Sequence, residues 1–563
     1  MSPYLRRNSP VDVLDLWPAS GLFSSKVNEF LRPRRHVLVE PNLKSYGRFL
    51  EPLARKPGFE LLSFDIYKQN DWLEVFRKHL PEQKPPQGQQ VGMLPKNDTL
   101  LVLANPPNPV SDKDHYTPGR WWCTVMESCI QQTGLHSYGS VRILASFSSK
   151  DMWGVLPRSV GDRKRAAILT ENVAQHALEI AKYPEVETWM PLRRLGEIES
   201  DRERVAARTA AQNIKIPPKR ELPLPQLAPT FSSRSTPRVP PIPYEPRVRT
   251  EWHEGIMKTI TADKVVDGKP KCMVARKAGH VARQQLRQDN RYAWVRASLT
   301  EKQLEIDDRM RELARVAASP GEDGSRIKSL DEEIQQLQGG LAKMMSEMHH
   351  RDYRQLPRTL DDSRVEALAN YNEAHVLHWA QRPFEALAIA EVELFPRMPR
   401  SMLYFEADEN PPAMQKLRGV PDQKHEELLQ LFDSLSFVFG THSNMTVPEL
   451  LEAIFPGSST NDLIRRIPSL APHAAKRARG NEYRPLPLDD PTLNPAGCYQ
   501  DNLDYDLSDA RVRCLPITTL WDILIEYQKH SLGLSSLQFS RLIGGTMTSF
   551  RAGEYGAPTI KLR

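Results

Sequence analysis

Residues 99–109 read T-L-L-V-L-A-N-P-P-N-P, an apolar run that ends in Asn105-Pro106-Pro107. An exocyclic amine has its lone pair delocalised into the ring that carries it. A side-chain amide oxygen and a rigid backbone carbonyl that accept its two hydrogens could hold that nitrogen for in-line attack on a sulfonium methyl. Asn105 is the candidate amide, and an aromatic in the fourth place of the motif would stack on a flipped base. Asn108 stands there instead and cannot stack. Asn-Pro-Pro also ends strands as a plain turn. The chain carries its own comparison, Asn410-Pro411-Pro412 in A-D-E-N-P-P, with no matching site around it.

The loop Asp15-Leu16-Trp17-Pro18-Ala19-Ser20-Gly21 follows the first apolar run, and Glu40 closes the next. In a nucleotide-binding fold, glycines here admit the ligand to the backbone and an acid about 20 residues on takes the ribose hydroxyls. Glu40 is placed for that task. Only Gly21 is a glycine, so the dinucleotide fingerprint is absent, which argues against a nicotinamide enzyme.

The elements that must position these residues are short apolar runs at helix-length intervals: V-D-V-L-D (11–15), H-V-L-V-E (36–40), F-E-L-L-S-F-D (59–65), T-L-L-V-L-A-N (99–105) and S-V-R-I-L-A-S-F (140–147). Runs of this kind alternating with segments such as 43–53 predict βαβ units and a parallel sheet with helices on both faces. Ligands bind such sheets at the carboxyl ends of the strands. Asp15, Glu40, Asp65 and Asn105 all stand at such ends.

A chain of 563 residues accommodates two or three domains. Its net charge of +6 is mild, so nucleic-acid binding has to rest on local clusters. No apolar run approaches the ~18 residues of a membrane span. Five cysteines without a C-x-x-C pair fit a reducing compartment and argue against both a zinc site and a disulfide framework. The N-terminus carries Arg6 and Arg7 but is too short, before a strand at Val11, for an ordinary transit peptide. Import would use an internal signal, or a front segment is missing.

Ten prolines between Pro217 and Pro246, with seven basic residues from Lys215 to Arg249, predict an extended basic linker with little to bury. Ile306, Met310, Leu313 and Ala317, then a break, then Ile327, Leu330, Ile334, Leu337, Leu341, Met344 and Met348 predict a helical hairpin. Its seam would serve either the two helices themselves or a partner. S-M-L-Y-F-E-A-D (401–408) predicts a further strand. Amphipathic helices follow, around Leu428, Leu429, Phe432 and Leu435, after Thr446-Val447-Pro448, and around Leu520, Ile523, Leu524 and Tyr527.

The succession D-L-W-P-A-S-G-L, H-V-L-V-E-P, F-D-I-Y and L-V-L-A-N-P-P-N resembles the rRNA adenine N(6)-dimethyltransferase family, most closely its fungal mitochondrial transcription factor B branch. The resemblance continues through S-S-K-D-M-W-G-V-L-P-R-S-V-G-D-R-K-R-A-A-I-L and resumes at 402–407 and D-L-I-R-R-I-P-S-L. It implies an α/β fold: an S-adenosylmethionine-dependent, Rossmann-like methyltransferase domain with a C-terminal helical domain and a large insertion that is Pro-rich and contains the helical hairpin. The corresponding division is a methyltransferase-like domain over 1–195, a basic Pro-rich linker over 196–250, an insertion over 251–400, the sheet's returning last strand over 401–412 and a helical domain with a basic tail over 413–563.

Carried over by position, the family's S-adenosylmethionine contacts fall on the Trp17 to Gly21 loop, on Glu40 for the ribose, on Asp65 for the adenine amine and on Asn105 beside the methyl. Trp17 and Ala19 replace the family's first two glycines, Asn108 replaces its aromatic, and the arm that precedes the first strand has no room. Together these departures imply a lost activity, with Asn105 a vestigial catalytic residue. The expected function is that of a mitochondrial matrix transcription factor, a monomer away from membranes, which assists the mitochondrial RNA polymerase in promoter recognition and melting. The alternatives are an active rRNA adenine dimethyltransferase using S-adenosylmethionine and a mitoribosomal assembly protein.

Nucleic acid, DNA or rRNA, would meet Trp121, Trp122 and Tyr116 by stacking, and Arg158, Arg163, Lys164 and Arg165 through its phosphates. Lys561 and Arg563 of the tail are further candidates. The bland alternatives stand beside these assignments: core packing for the aromatics and a solvated helix face for the basic cluster.

Overall fold

The computed structural model describes residues 2–5, 11–85, 93–109, 117–230, 242–262, 273–319, 324–372, 375–394, 398–479, 494–530 and 535–544. The five apolar runs form β1 (Asp12–Leu16), β2 (His36–Val39), β3 (Phe59–Leu62), β4 (Lys96–Ala104) and β5 (Ser140–Ser148). They are joined by β6 (Ala174–Lys182), β7 (Leu387–Ala388) and β8 (Arg400–Ala407) in one sheet of order β3-β2-β1-β4-β5-β8-β6-β7. β8 runs antiparallel to both of its neighbours, and all other pairings are parallel. The protein is therefore α/β, with a mostly parallel sheet.

The strands are apolar on both faces because helices cover both. Val13, Leu14 and Leu16 of β1 are each 0% exposed. The helix Leu43–Ala54 starts where the Asn42 side chain accepts the Ser45 N–H at 3.1 Å, and the helix Pro118–Gln131 starts where Thr117 accepts that of Arg120 at 3.3 Å with Pro118 in the first turn. Trp122, on that second helix, packs edge-on to Phe147 of β5 and Phe405 of β8, with ring centroids 5.5 Å away in each case. Such pairs add about 0.5–1.5 kcal/mol to the burial itself. They fasten the returning strand to the parallel half of the sheet.

Residues 183–399 lie between β6 and β8. They include the helices Leu195–Ala211, Glu251–Ala262, Met273–Ala318, Gly324–Ser346 and Leu356–Asn372. The seam residues Ile306, Met310, Leu313, Ala317, Ile327, Leu330 and Ile334 are buried. The hairpin also packs on a second small sheet, β9 (Ala475–Ala478) with β10 (Leu503–Asp506). Asp331 accepts from Arg477 Nε at 2.8 Å and from the Ala478 N–H at 3.1 Å. Gln500 and Asn502 donate to the Ala314 and Ala317 carbonyls at 2.7 and 2.8 Å. The Ala317 carbonyl is among the last four of a long helix, which have no partner within it.

The expected linker needs correction. Its first part, from position 196, belongs to the helix Leu195–Ala211, which buries Ile198 and Val205 and is tied down where Thr209 donates to the Pro383 carbonyl at 2.9 Å. Its last part is anchored too. Leu227 pairs with Val248, and Arg247, 3% exposed, meets Asp289 at 2.5 Å. Proline-rich composition set the expectation, but the few residues between the prolines carry the contacts.

C-terminal helices pack against the sheet domain. Trp521 stacks on Phe432 at 4.6 Å and donates its Nε1–H to Asn172 Oδ1 at 2.8 Å, which joins the helix Ile517–His530 to the helix Arg165–Val173. Thr446 and Glu449 form a reciprocal cap for the helix Val447–Ile454. The second Asn-Pro-Pro leads into the helix Pro412–Leu417. Among the described residues no helix is long and apolar enough to cross a membrane.

Candidate functional site

The loop after β1 turns back on itself through three left-handed residues, Trp17 (φ 56°), Ala19 (φ 50°) and Gly21 (φ 72°). Two of them carry a Cβ, at a cost of about 1–2 kcal/mol each. Three hydrogen bonds hold the shape. The Trp17 N–H donates to the Val39 carbonyl at 3.0 Å, the Gly21 N–H to that of Pro18 at 2.9 Å, and the Ala19 N–H to Glu40 Oε2 at 3.2 Å. Gly21 is required by packing as well as by its φ. A Cβ there would lie 2.5 Å from Leu53 Cδ1 and 2.9 Å from Leu50 Cδ2.

Glu40 is 3% exposed and is engaged within the protein. Oε1 accepts the Asn42 N–H at 2.9 Å and Oε2 that of Ala19. Burial pushes its carboxyl pKa upward, and the two N–H donors oppose that shift. Its evident task is to brace the loop. Asp65 accepts the Tyr67 N–H at 3.1 Å and lies 3.4 Å from Lys68 Nζ, with its side chain 46% exposed.

The indole of Trp17 is 5% exposed and fills the space ahead of the loop. Its centroid is 5.1 Å from Tyr67 and 5.5 Å from Trp121. Asn105, at the end of β4, donates its backbone N–H to Leu16 at 3.0 Å, while its Oδ1 accepts from Arg400 Nη2 at 2.8 Å. Arg400 begins β8 opposite Ser148 and also donates to Ser146, from Nε to Oγ at 3.0 Å and from Nη2 to the carbonyl at 2.8 Å. Burial lowers its pKa and nearby Asp151 raises it again, but a guanidinium stays charged at neutral pH. Asn108 has its Oδ1 buried without a hydrogen-bond partner among the described residues.

The residues brought together are thus Trp17, Gly21, Glu40 and Asn105, with Tyr67, Trp121 and Arg400 added. Arg400 was not foreseeable from its surroundings, M-P-R-S-M, because only the antiparallel register of β8 carries it over Asn105.

S-adenosylmethionine fits this crevice poorly. An indole stands where backbone would approach the ligand, and a guanidinium holds the amide oxygen meant for the acceptor. A second cation such as a sulfonium, brought within ~4 Å of that guanidinium, would cost about 4 kcal/mol at an effective dielectric of 20.

The nucleic-acid candidates divide differently from the expectation. Trp121 and Trp122 are 7% and 0% exposed, and Trp122 Nε1 donates to Thr170 Oγ1 at 2.8 Å, so both are core residues without a free ring face. Arg158, 1% exposed, pairs with Glu179 at 2.5 Å and Glu187 at 3.2 Å. Arg163, also 1% exposed, pairs with Glu171 at 2.7 Å and donates to the Arg513 and Leu515 carbonyls at 2.9 and 2.6 Å. Arg165 bridges Glu127 and Asp433 under the ring of Phe437. These three arginines fasten elements to each other and present no charge to a phosphate. Lys164 alone of the cluster is exposed. Tyr116, Lys561 and Arg563 lie outside the described residues. Among the described residues no group of His, Cys, Asp or Glu is arranged to hold a metal ion.

No protein-family model matches the chain, and no curated protein matches its sequence.

Proposed function

We propose that the protein is a mitochondrial transcription factor with a degenerate methyltransferase fold, which assists the mitochondrial RNA polymerase in promoter recognition and melting. The observation that carries the loss of catalysis is the Arg400 guanidinium on Asn105 Oδ1 with the Trp17 indole beside it. Both groups take up the ground of a methyl donor and its acceptor. The location, the polymerase and the promoter come from the sequence resemblance, and the antiparallel return of β8 into the sheet is compatible with the fold which that resemblance implies.

With Trp121 and Trp122 buried, a role in gripping a melted strand passes to rings that are exposed. Phe23 and Phe49 are 47% and 44% exposed, and the Arg48 guanidinium lies 4.5 Å above the Phe49 ring. Phe23 follows Gly21 by two residues, at the start of the helix Leu22–Leu31. Exposed rings beside cations hold unpaired bases without regard to sequence. The test is promoter opening by the polymerase with and without the protein, read by a fluorescent base analogue in the melted region. Stimulation that weakens steeply with salt supports the proposal. Methylation of an rRNA adenine without any effect on opening would favour the dimethyltransferase alternative.

A further inference from the structure

The two helices of the hairpin, the helix Leu356–Asn372 and the segment around the β9–β10 sheet line a cavity of about 500 Å³. Small-molecule sites span about 300–1,000 Å³ and combine a mostly apolar lining with a few polar groups. The insertion supplies an apolar wall of Leu299, Leu341, Met345, Leu356, Leu360 and Leu368. Leu341 with Met345, and Leu356 with Leu360, stand four residues apart, so each pair shares one face of its helix. Polar groups come from the other side, among them His473, Lys476 and Ser508.

Lys476 sits on β9 opposite Tyr505 of β10 and is 2% exposed. Its Nζ donates to the Ala471 and Ala474 carbonyls at 2.8 and 3.0 Å. An ammonium has three N–H groups, so one is left over. Burial lowers its pKa to about 8, Arg311 adds to that shift and Asp307 opposes it, so the charge persists at neutral pH. The acids that line the cavity are engaged elsewhere. Asp307 accepts from Arg364 Nε at 2.8 Å, and Asp361 from Arg511 Nη1 and Arg513 Nε at 2.9 and 2.8 Å. Asp506 accepts from the N–H and Oγ of Ser508, both at 2.8 Å, and Asp509 is exposed. Arg311, which also lines the cavity, meets Asp308. His473, held down to about 4 chiefly by burial, is neutral. Among the described residues no carboxylate forms an ion pair with Lys476, and a buried charge without an opposite one is costly.

We infer that this cavity binds an amphipathic monocarboxylate, with its carboxylate on the Lys476 ammonium and its saturated chain against the leucines of the insertion. One ammonium beside a neutral histidine matches a single negative charge. A phosphate monoester carries close to two charges at neutral pH, a surplus next to Asp307. A wholly polar ligand would gain nothing from the apolar wall, and a neutral hydrocarbon would leave Lys476 as it is. An occupant touches both the insertion and the β9–β10 segment, so binding holds the two together and raises the unfolding temperature. The site is separate from the crevice around Asn105, and the inference does not depend on the proposal made for it.

The test is calorimetric titration of the full chain with hexanoate, octanoate and decanoate below their micelle concentrations, and with 1-decanol. Binding should saturate at one equivalent, and affinity should rise about fourfold with each added methylene. Decanoate should bind the parent about tenfold or more tighter than 1-decanol, as a hydrogen bond between charged groups requires. Lys476→Met should abolish that preference while 1-decanol still binds. Met345→Trp narrows the cavity at a half-buried position and should weaken decanoate more than hexanoate, which keeps the test open if Lys476→Met does not fold. Absence of saturable binding to the parent overturns the inference. So does equal affinity of the parent for decanoate and 1-decanol, or an unchanged chain-length dependence in a folded Met345→Trp.

Discussion

Arg400 and Asn105 are separated by 295 positions in the chain, yet the guanidinium of one lies 2.8 Å from the amide oxygen of the other. The contact exists because β8 returns antiparallel beside β5 and starts at the carboxyl end of the sheet. It places a permanent cation on the atom around which the sequence motif is built.

The strained loop gives a pair of opposite outcomes. Ala19→Gly removes a Cβ from a left-handed position and should leave stability unchanged or raise it by up to about 1 kcal/mol. Gly21→Ala should cost about 1–3 kcal/mol, since its Cβ meets Leu53 and Leu50 inside contact distance. Urea unfolding of the two variants checks both. A stabilised Gly21→Ala would show that the loop is not packed as described.

Arg163 is predicted to act in stability and not in binding. Its replacement by Met leaves Glu171 buried and alone and should cost about 3–5 kcal/mol. Nucleic-acid affinity per folded molecule should stay the same. A stable variant with weakened binding would return Arg163 to the phosphate-contacting role expected from the sequence.

Phe23→Ala and Phe49→Ala should weaken single-strand binding by about 1–3 kcal/mol for each stacking ring removed. Both rings are partly in solvent, so the unfolding midpoint should move little. Binding equal to that of the parent would remove these rings from the proposed grip.

A buried histidine sets a pH dependence. His136 is 0% exposed, accepts the Val141 N–H on Nδ1 at 3.2 Å, and has its pKa held down to about 3 by burial. The unfolded chain, with an ordinary value of about 6.5, binds the proton more readily. Stability from this site is therefore full above pH ~6.5 and falls at about 1.4 kcal/mol per pH unit as the pH drops towards the folded value. His378 and His473, each lowered to about 4 chiefly by burial, act in the same direction. Denaturant unfolding from about pH 6.5 to 5 should show a shallower slope in His136→Gln than in the parent. Parallel slopes would mean that His136 is protonated in the folded chain.

The strands around the site were legible because each is a short apolar run, closed by an acid or amide in β1 to β4. β1 to β5 lie on all five predicted runs, and β8 on the strand predicted from position 401. The hairpin seam was legible through its three-four spacing, although its second partner, the β9–β10 sheet, lies far away in sequence. The basic cluster was misleading, since R-S-V-G-D-R-K-R gives charges but not their partners. Glu179, Glu187, Glu171, Glu127 and Asp433 come from β6, the loop after it and three helices. Trp121 and Trp122 misled for a related reason: aromatic character does not tell which face of a helix lies on a sheet. Arg400 was invisible because its role depends on strand register, which local composition does not encode.

The central claim is that the carboxyl-end crevice no longer accepts a methyl donor. Calorimetric titration of the full chain with S-adenosylmethionine tests it most directly. The Trp17 indole and the Arg400 guanidinium predict no saturable binding up to millimolar ligand. Micromolar affinity that disappears in Glu40→Ala would contradict the account, because it would place the ligand in the space assigned to Trp17.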